Sequence, residues 1–437
     1  MLGLRKRHAG VRLPSAKTVA DVALTEIPAP QNVYIPLQQH IGIAAEPCVK
    51  RGDRVLMGDP LSMSDHPMQV PVHASVSGKV RSITEGVLPS GRLGTIVHIE
   101  NDGLYERRET SGRPSPHDYT PEEIRKAVHE GGVVGLGGAA FPTSVKLNPK
   151  KKIDTLLING CEGEPVLSAD HRAILELTDL MLYGIQAMQI ATGAERVIIA
   201  LEDHDPDGAE HLRKEAKGIA EVVVVPAVYP VSGEYTLIKA VLGRRIPIGG
   251  LPADVGVVVQ NVETAVAVGR VLRDGWPLTR RIITVAGGDV ERPGNYYVAL
   301  GTTIADVLEH VGCPTPRQVL LGGPMMGQAV PNLDIPVVKG TSGIMALSPA
   351  EIDVREPLPC VRCGQCIAVC DKGLSPMMLL KYIQNGEWEK AEEWGLRTCM
   401  ECGACAFVCP SNIPLVQWFK SGKATLSAKA APNSKGS

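Results

Sequence analysis

Eight of the eleven cysteines in this chain lie between Cys360 and Cys409, in two copies of one spacing. The first copy is Cys360-Val-Arg-Cys363-Gly-Gln-Cys366-Ile-Ala-Val-Cys370, and the second is Cys399-Met-Glu-Cys402-Gly-Ala-Cys405-Ala-Phe-Val-Cys409-Pro410. Both read C-x2-C-x2-C-x3-C, a spacing that serves two [4Fe–4S] clusters at once. Three thiolates at every third position of a tight loop reach three iron corners of one cubane. The fourth, expected to begin a helix directed away, reaches the other cubane. One cluster is therefore expected on Cys360, Cys363, Cys366 and Cys409, and the other on Cys399, Cys402, Cys405 and Cys370. Gly364 and Gly403 recur at one offset and let backbone N–H groups approach the sulfurs. Pro410 closes the second motif where Asp371 stands in the first. Structural zinc, the competing reading, uses four ligands from two C-x2-C knuckles and leaves a cysteine surplus in each copy.

A secreted disulfide framework would scatter its cysteines along a shorter chain, whereas clustered thiolates ask for a reducing compartment. A soluble, cytoplasmic protein is expected. At 437 residues the chain exceeds one hydrophobic core and should form several domains. A net charge of −2 offers no basis for a nucleic-acid partner. No run approaches the roughly 18–20 apolar residues that cross a bilayer; the strongest, Val255 to Val259, is strand length. Any membrane association is expected to go through a partner. The basic group Arg5-Lys6-Arg7-His8 has no apolar stretch behind it, so it reads as a solvated tail rather than a leader. The Ser-, Ala- and Lys-rich end beyond Lys420 reads as flexible. Between the cysteine motifs, Met378, Leu379, Tyr382, Ile383 and Ala391 recur at helical spacing as core positions.

The middle of the chain is rich in glycine. Pro121 to Glu130 reads as a helix capped by Thr120, leading into Gly131-Gly-Val-Val-Gly-Leu-Gly-Gly-Ala-Ala-Phe-Pro-Thr-Ser-Val-Lys-Leu-Asn148. Gly135, Gly137 and Gly138 would let a backbone approach a phosphate, with Lys146 as a point charge. A tight structural turn explains the same glycines equally well, and the Gly-Lys-Ser/Thr ending of a Walker loop is absent. A strand from Lys152 to Asn159 opens onto Asn159-Gly-Cys-Glu-Gly-Glu-Pro165, followed by a helix through Ile174 to Thr192 and strands at Val197–Leu201 and Glu221–Val225. That alternation indicates an α/β domain. Asn159, Glu162 and Glu164 at a strand end suit a ligand with hydroxyls and amides, or are ordinary loop residues.

Together these stretches carry a resemblance. Gly135-Leu-Gly-Gly-Ala-Ala-Phe-Pro-Thr-Ser-Val-Lys146 resembles the flavin-site loop of the FMN- and NADH-binding subunit of respiratory complex I. Asn159 to Pro165, Ser232-Gly-Glu234, Gln260 to Thr264, Glu291 to Gly294 and Gly301 to Thr303 follow in the same order. Pro247 to Asn261, Gly322-Gly-Pro-Met-Met-Gly327 and the two-cluster module resemble more closely the C subunit of the Rnf complex, an ion-translocating ferredoxin:NAD+ oxidoreductase. The resemblance implies an FMN site of Gly135, Gly137, Gly138, Lys146, Asn159, Glu234 and Asn261. It implies that Phe141 stacks on the nicotinamide nucleotide, with Glu162 and Glu164 near it. Leu136 departs from an arginine common in the complex I subunit, and Cys161 and Gly163 depart from the Rnf pattern.

The resemblance extends over the flanking regions. Gly52 to Gly58 and Val72 to Val80 look like the halves of a lipoyl- or biotinyl-carrier sandwich, but Ser62 to Gln69 lacks an attachment lysine, and His73 reads as packed. Arg280 to Ala286, Tyr296 to Ala299 and the helix from Ile304 resemble a soluble-ligand-binding β-grasp domain. The expected fold is multidomain α/β and α+β. It comprises an N-terminal tail (1–25), a carrier-like β-sandwich (26–105), a Rossmann-like FMN/NADH domain (118–265), a β-grasp domain (278–345), a helical two-[4Fe–4S] ferredoxin-like domain (352–420) and a flexible tail (421–437).

FMN accepts a hydride and releases single electrons, so it joins NAD(H) chemistry to one-electron clusters. The resemblance implies an electron-transfer subunit with two [4Fe–4S] clusters, FMN and NAD(H). Its partners would be other Rnf subunits and, as a further candidate, ferredoxin, at the cytoplasmic face of the membrane. No acid–base triad is present or required. Two other functions use the same residues: a soluble Rnf-C-like reductase serving cobalamin or amino-acid reduction, and a ferredoxin-like adaptor without flavin.

Overall fold

Alternating buried and outward residues set the first unit of the computed structural model, which describes residues 9–430. Strands β1 (Thr25–Glu26), β2 (Asn32–Pro36), β3 (Arg54–Val55), β4 (Pro60–Ser62), β5 (Val72–His73), β6 (Gly78–Val87) and β7 (Leu93–Asn101) come first. An antiparallel sheet in the order β2-β7-β6-β3 accompanies the β4–β5 hairpin, and Val33, Ile35, Leu61, Val80 and Val97 fill the core. His73 is buried in this unit, as expected.

The second unit opens with α1 (Pro121–Glu130), where Thr120 and Glu123 form a reciprocal capping box and Pro121 takes the first helical position. There follow α2 (Thr143–Lys146), β8 (Thr155–Asn159), α3 (Ala169–Glu176), α4 (Thr178–Thr192), β9 (Arg196–Glu202), α5 (Pro206–Glu215), β10 (Glu221–Val225), α6 (Glu234–Leu242), β11 (Val257–Asn261) and α7 (Val262–Asp274). The four strands form a parallel sheet in the order β10-β9-β8-β11, apolar on both faces as a covered sheet requires. Helices α1, α4 and α7 cover one face, and α6 covers the other.

The third unit holds β12 (Arg280–Ala286), β13 (Gly294–Ala299), α8 (Ile304–His310), β14 (Gln318–Leu321), β15 (Gln328–Ala329) and β16 (Gly343–Leu347). Its sheet runs β1-β13-β12-β16-β14-β15, with Val307 and Leu308 of α8 packed on Ile283, Val285 and Ile344. The last unit is helical: α9 (Gln365–Ala368), α10 (Pro376–Gln384), α11 (Trp388–Glu393), α12 (Ala404–Phe407) and α13 (Leu415–Ala430). Leu379, Ile383, Ala391, Leu396 and Phe419 form its core.

Several boundaries differ from the expectations. Residues 9–25 are no free tail. Val11 pairs with Tyr229, Ala16 N donates to the Pro165 carbonyl at 3.0 Å, and β1 joins the β-grasp sheet beside β13. Arg5 to His8 lie outside the described residues. Helix α7 continues to Asp274, past the expected domain end at 265, because Val268, Val271 and Leu272 are buried in the same core as α4. The helix expected through 174–192 is two helices meeting at Leu177. Residues 421–430 continue α13 rather than forming a flexible tail, since Leu426 is buried against the helical core; residues 431–437 lie outside the described residues.

Candidate functional site

Parallel strands place their C-terminal ends together, and here β8 and β11 are neighbours in register with Asn159 opposite Asn261. Asn159 Nδ2 donates to the Ser232 carbonyl at 2.8 Å, while its Oδ1 accepts from Cys161 N at 3.0 Å. Asn261 caps α7, with Oδ1 accepting from Glu263 N at 2.9 Å and Thr264 N at 3.2 Å. The glycine loop folds over these ends. Gly135 N donates to the Phe141 carbonyl at 2.8 Å, and Leu136 N donates to Thr264 Oγ1 at 2.9 Å. Gly137 leaves room beside Asn261, whose Cβ would lie 3.3 Å from any Cβ added there. Gly138 has φ +99° with open space on its side-chain face. Lys146, half-buried on α2, donates to Glu234 Oε1 at 2.7 Å and to the Val259 carbonyl at 3.2 Å.

Glu162 and Glu164 bind the chain itself. Glu162 accepts from Asp170 N at 3.2 Å and His171 N at 3.4 Å, and stands 3.8 Å from Lys17 Nζ. Glu164 accepts from Met325 N at 2.9 Å and Met326 N at 2.8 Å, tying this loop to the β-grasp unit. Two neighbours escaped sequence reasoning. Asp170 accepts from Asn261 Nδ2 at 2.7 Å, and burial with the charges of Glu162 and Glu263 pushes its carboxyl well above the usual range. Buried Arg281 pairs with Glu263 and donates to the Leu136 carbonyl at 2.8 Å. Neither residue belongs to a local motif, so no sequence signal marks them.

Among the described residues, no backbone acceptor meets the N–H groups of Gly137, Gly138 or Ala139. Free donors on an open glycine loop, a nearby lysine and two amide side chains suit a ligand with a phosphate at one end and hydroxyls along its length. The donor set therefore fits FMN.

The eight motif cysteines, none in a disulfide, line two hollows. One is bordered by Cys360, Cys363, Cys366 and Cys409, and the other by Cys370, Cys399, Cys402 and Cys405. Arg362 and Glu401 occupy the same place in the two motifs with φ of 56° and 57°, and Gly364 and Gly403 with 77° and 82°. One correction concerns the fourth cysteine: Cys370 and Cys409 follow the one-turn helices α9 and α12 rather than beginning a helix. Burial pushes the thiols of Cys399 up to about 11 and Cys405 up to about 12. Bare thiolates are disfavoured there, and bound iron would offset that cost.

Comparisons with known proteins agree with this layout. Four family models match in succession: the RnfC barrel sandwich hybrid domain at residues 5–104, the Nuo51 FMN-binding domain at 128–270, the SLBB domain at 282–329 and the 4Fe-4S dicluster domain at 359–413. The C subunit of an ion-translocating oxidoreductase complex from Rhodobacter capsulatus is 40% identical over 94% of this chain and 81% of its own. The chain belongs to the RnfC family. Other members are the C subunits of a proton-translocating ferredoxin:NAD(+) oxidoreductase complex from Clostridium ljungdahlii, 39% identical over 87% of this chain and 84% of that one, and of a Na(+)-translocating ferredoxin:NAD(+) oxidoreductase complex from Acetobacterium woodii, 38% identical over 88% of both. Membership in the RnfC family upholds the resemblance and the multidomain fold read from the sequence. Among the described residues no helix is long and apolar enough to cross a membrane.

Proposed function

We propose that this chain is the electron-transfer C subunit of an ion-translocating ferredoxin:NAD+ oxidoreductase. The observation that carries the reading is the pairing, in one chain, of a glycine loop with free N–H donors and eight cysteines divided into two quartets. Gly135, Gly137, Gly138, Lys146, Asn159, Glu234 and Asn261 would hold FMN. Phe141 would stack on NAD(H), with Glu162 and Glu164 ordering the loop beside it. Cys360, Cys363, Cys366 and Cys409 would hold one [4Fe–4S] cluster, and Cys399, Cys402, Cys405 and Cys370 the other.

Bound there, FMN supplies exchange between hydride chemistry and single-electron chemistry. Oxidation of one NADH to NAD+ and a proton would release two electrons, and each cysteine quartet would hold a one-electron acceptor for one of them. The protein's part is to hold phosphate, hydroxyls and thiolates in fixed places. Its seat would be the cytoplasmic face of a membrane, reached through partner subunits, with ferredoxin as the redox counterpart.

The test is an absorption spectrum of anaerobically purified protein before and after NADH. Flavin bands on a broad iron–sulfur background, both bleached by NADH, are expected. Clusters that NADH leaves untouched even after FMN is added would instead make the chain an adaptor. Cys409→Ser should remove the first-motif cluster and Cys370→Ser the second, each lowering iron from about eight atoms to about four per chain. Loss of both clusters, or of the wrong one, would refute the crossed ligation.

A further inference from the structure

The two cysteine motifs end differently, and the difference has a structural use. After Cys409 the chain closes on its own unit: Ser411 Oγ donates to the Pro359 carbonyl at 3.0 Å, and Leu358 N to the Ser411 carbonyl at 2.8 Å. After Cys370 it reaches outward to α6. The Asp371 side chain, 8% exposed, accepts from Thr236 Oγ1 at 2.9 Å and from Lys239 Nζ at 3.0 Å. Lys372 Nζ sits 3.8 Å from the centre of the Tyr235 ring. A proline at 371, as at Pro410, would offer the helix no side-chain acceptor at all.

The other wall of the same hollow is held as well. Tyr229 Oη donates to the Cys402 carbonyl at 2.5 Å, and Met400 Cε lies 2.8 Å from where a Cβ on Gly233 would fall. Between these contacts stands Ser232, whose carbonyl binds Asn159, while α6 begins at Glu234, the partner of Lys146. The opposite quartet has its Cys360 and Cys363 exposed.

We infer that Asp371 is a positioning residue that seats the quartet Cys370, Cys399, Cys402 and Cys405 against α6 and the 229–233 loop. This quartet is then the one that exchanges electrons with the flavin site. The Cys360 quartet lies further along the path. The inference rests on the reading of the glycine loop as a flavin site. Its energetic basis is local: a nearly buried carboxylate has two side-chain donors from one helix, and removing either leaves it under-satisfied.

The experiment uses the anaerobic, cluster-loaded and flavin-loaded protein and four forms of it: Lys239→Met, Thr236→Val, Asp371→Asn, and the exchange Asp371→Lys with Lys239→Asp. Rapid mixing with NADH is followed at flavin and cluster wavelengths, and amide hydrogen exchange is measured over residues 234–242. Flavin bleaching at the unaltered rate is expected, with cluster bleaching slowed roughly tenfold or more in the Lys239 and Asp371 single variants. The exchange variant should recover part of the loss, and α6 amides should exchange faster in the single variants. Lys239 lies off the cysteine motifs, so its variant should keep full iron content. Cluster bleaching at the unaltered rate in Lys239→Met, with α6 exchange unchanged, would overturn the inference. If NADH bleaches no flavin in the unaltered protein, the flavin reading fails instead, and unchanged α6 exchange would still overturn the latch.

Discussion

Lys146 meets Glu234 and a backbone carbonyl, so part of its charge is balanced in the free protein. The remaining donor capacity of its ammonium is what a phosphate or ribityl oxygen would take up. Replacing Lys146 by Met should weaken FMN binding by roughly tenfold to a hundredfold, as loss of a charge-assisted hydrogen bond does. Titration of the deflavinated protein with FMN, read by flavin fluorescence, measures this. An unchanged dissociation constant would remove Lys146 from the site. At this scale the cysteines were legible because the residue type and its spacing carry the chemistry, and the glycines and the lysine stand out as candidates for the same reason. Asp170 was not, because its value lies in meeting Asn261 across 91 positions of chain.

Helices α4 and α7 show what element packing demands. A Cβ on Gly184 would fall 1.9 Å from the Ala265 carbonyl oxygen, and one on Gly269 would fall 2.0 Å from the Leu180 carbonyl oxygen. The two backbones cross almost in contact, each glycine facing the other helix. Gly184→Ala should therefore destabilise the protein by about 3 kcal/mol or more, because the obstacle is backbone and cannot rotate away. Denaturant unfolding monitored by far-UV circular dichroism checks this, and an unmoved midpoint would mean the helices have room to part. In sequence these glycines look like weak points in helices. The helix pattern reveals a buried stripe but not how close its partner comes. The end of the chain erred the other way: its composition suggested flexibility, and burial of Leu426 extended α13.

Lys339 joins three units of the molecule. Carried by the β-grasp unit, it is fully buried and donates to the Pro71 carbonyl of the sandwich at 2.8 Å and the Gly132 carbonyl before the glycine loop at 2.7 Å. Burial lowers its pKa from 10.5 to about 7. Nearby His73 and His40, lowered to about 3 and about 4, stay neutral above that point. Between about 7 and 10.5 the unfolded chain keeps a proton at Lys339 that the folded chain releases, so this group makes stability rise with pH there. Lys339→Met should remove that rise. The stability difference, unaltered protein minus variant, should grow by about 2 kcal/mol between pH 7 and pH 9. Thermal unfolding of both proteins across that range tests it, and a constant difference would mean the ammonium is solvated.

What the sequence determined by itself was local chemistry and order: two cysteine spacings, a glycine loop before an α/β alternation, a carrier-like sandwich without its lysine, and the succession of units. Spacing and residue type are properties of short segments, and a short segment carries them whatever surrounds it. The tertiary structure alone decided where segments meet. It put β1 into a sheet built from residues more than two hundred positions away, made a strap of residues 11–16 through Tyr229 and Pro165, bound Glu164 to Met325 and Met326, and set Asp371 on α6. Such contacts are chosen by burial and hydrogen-bond satisfaction across the whole chain, and no local pattern encodes the partner.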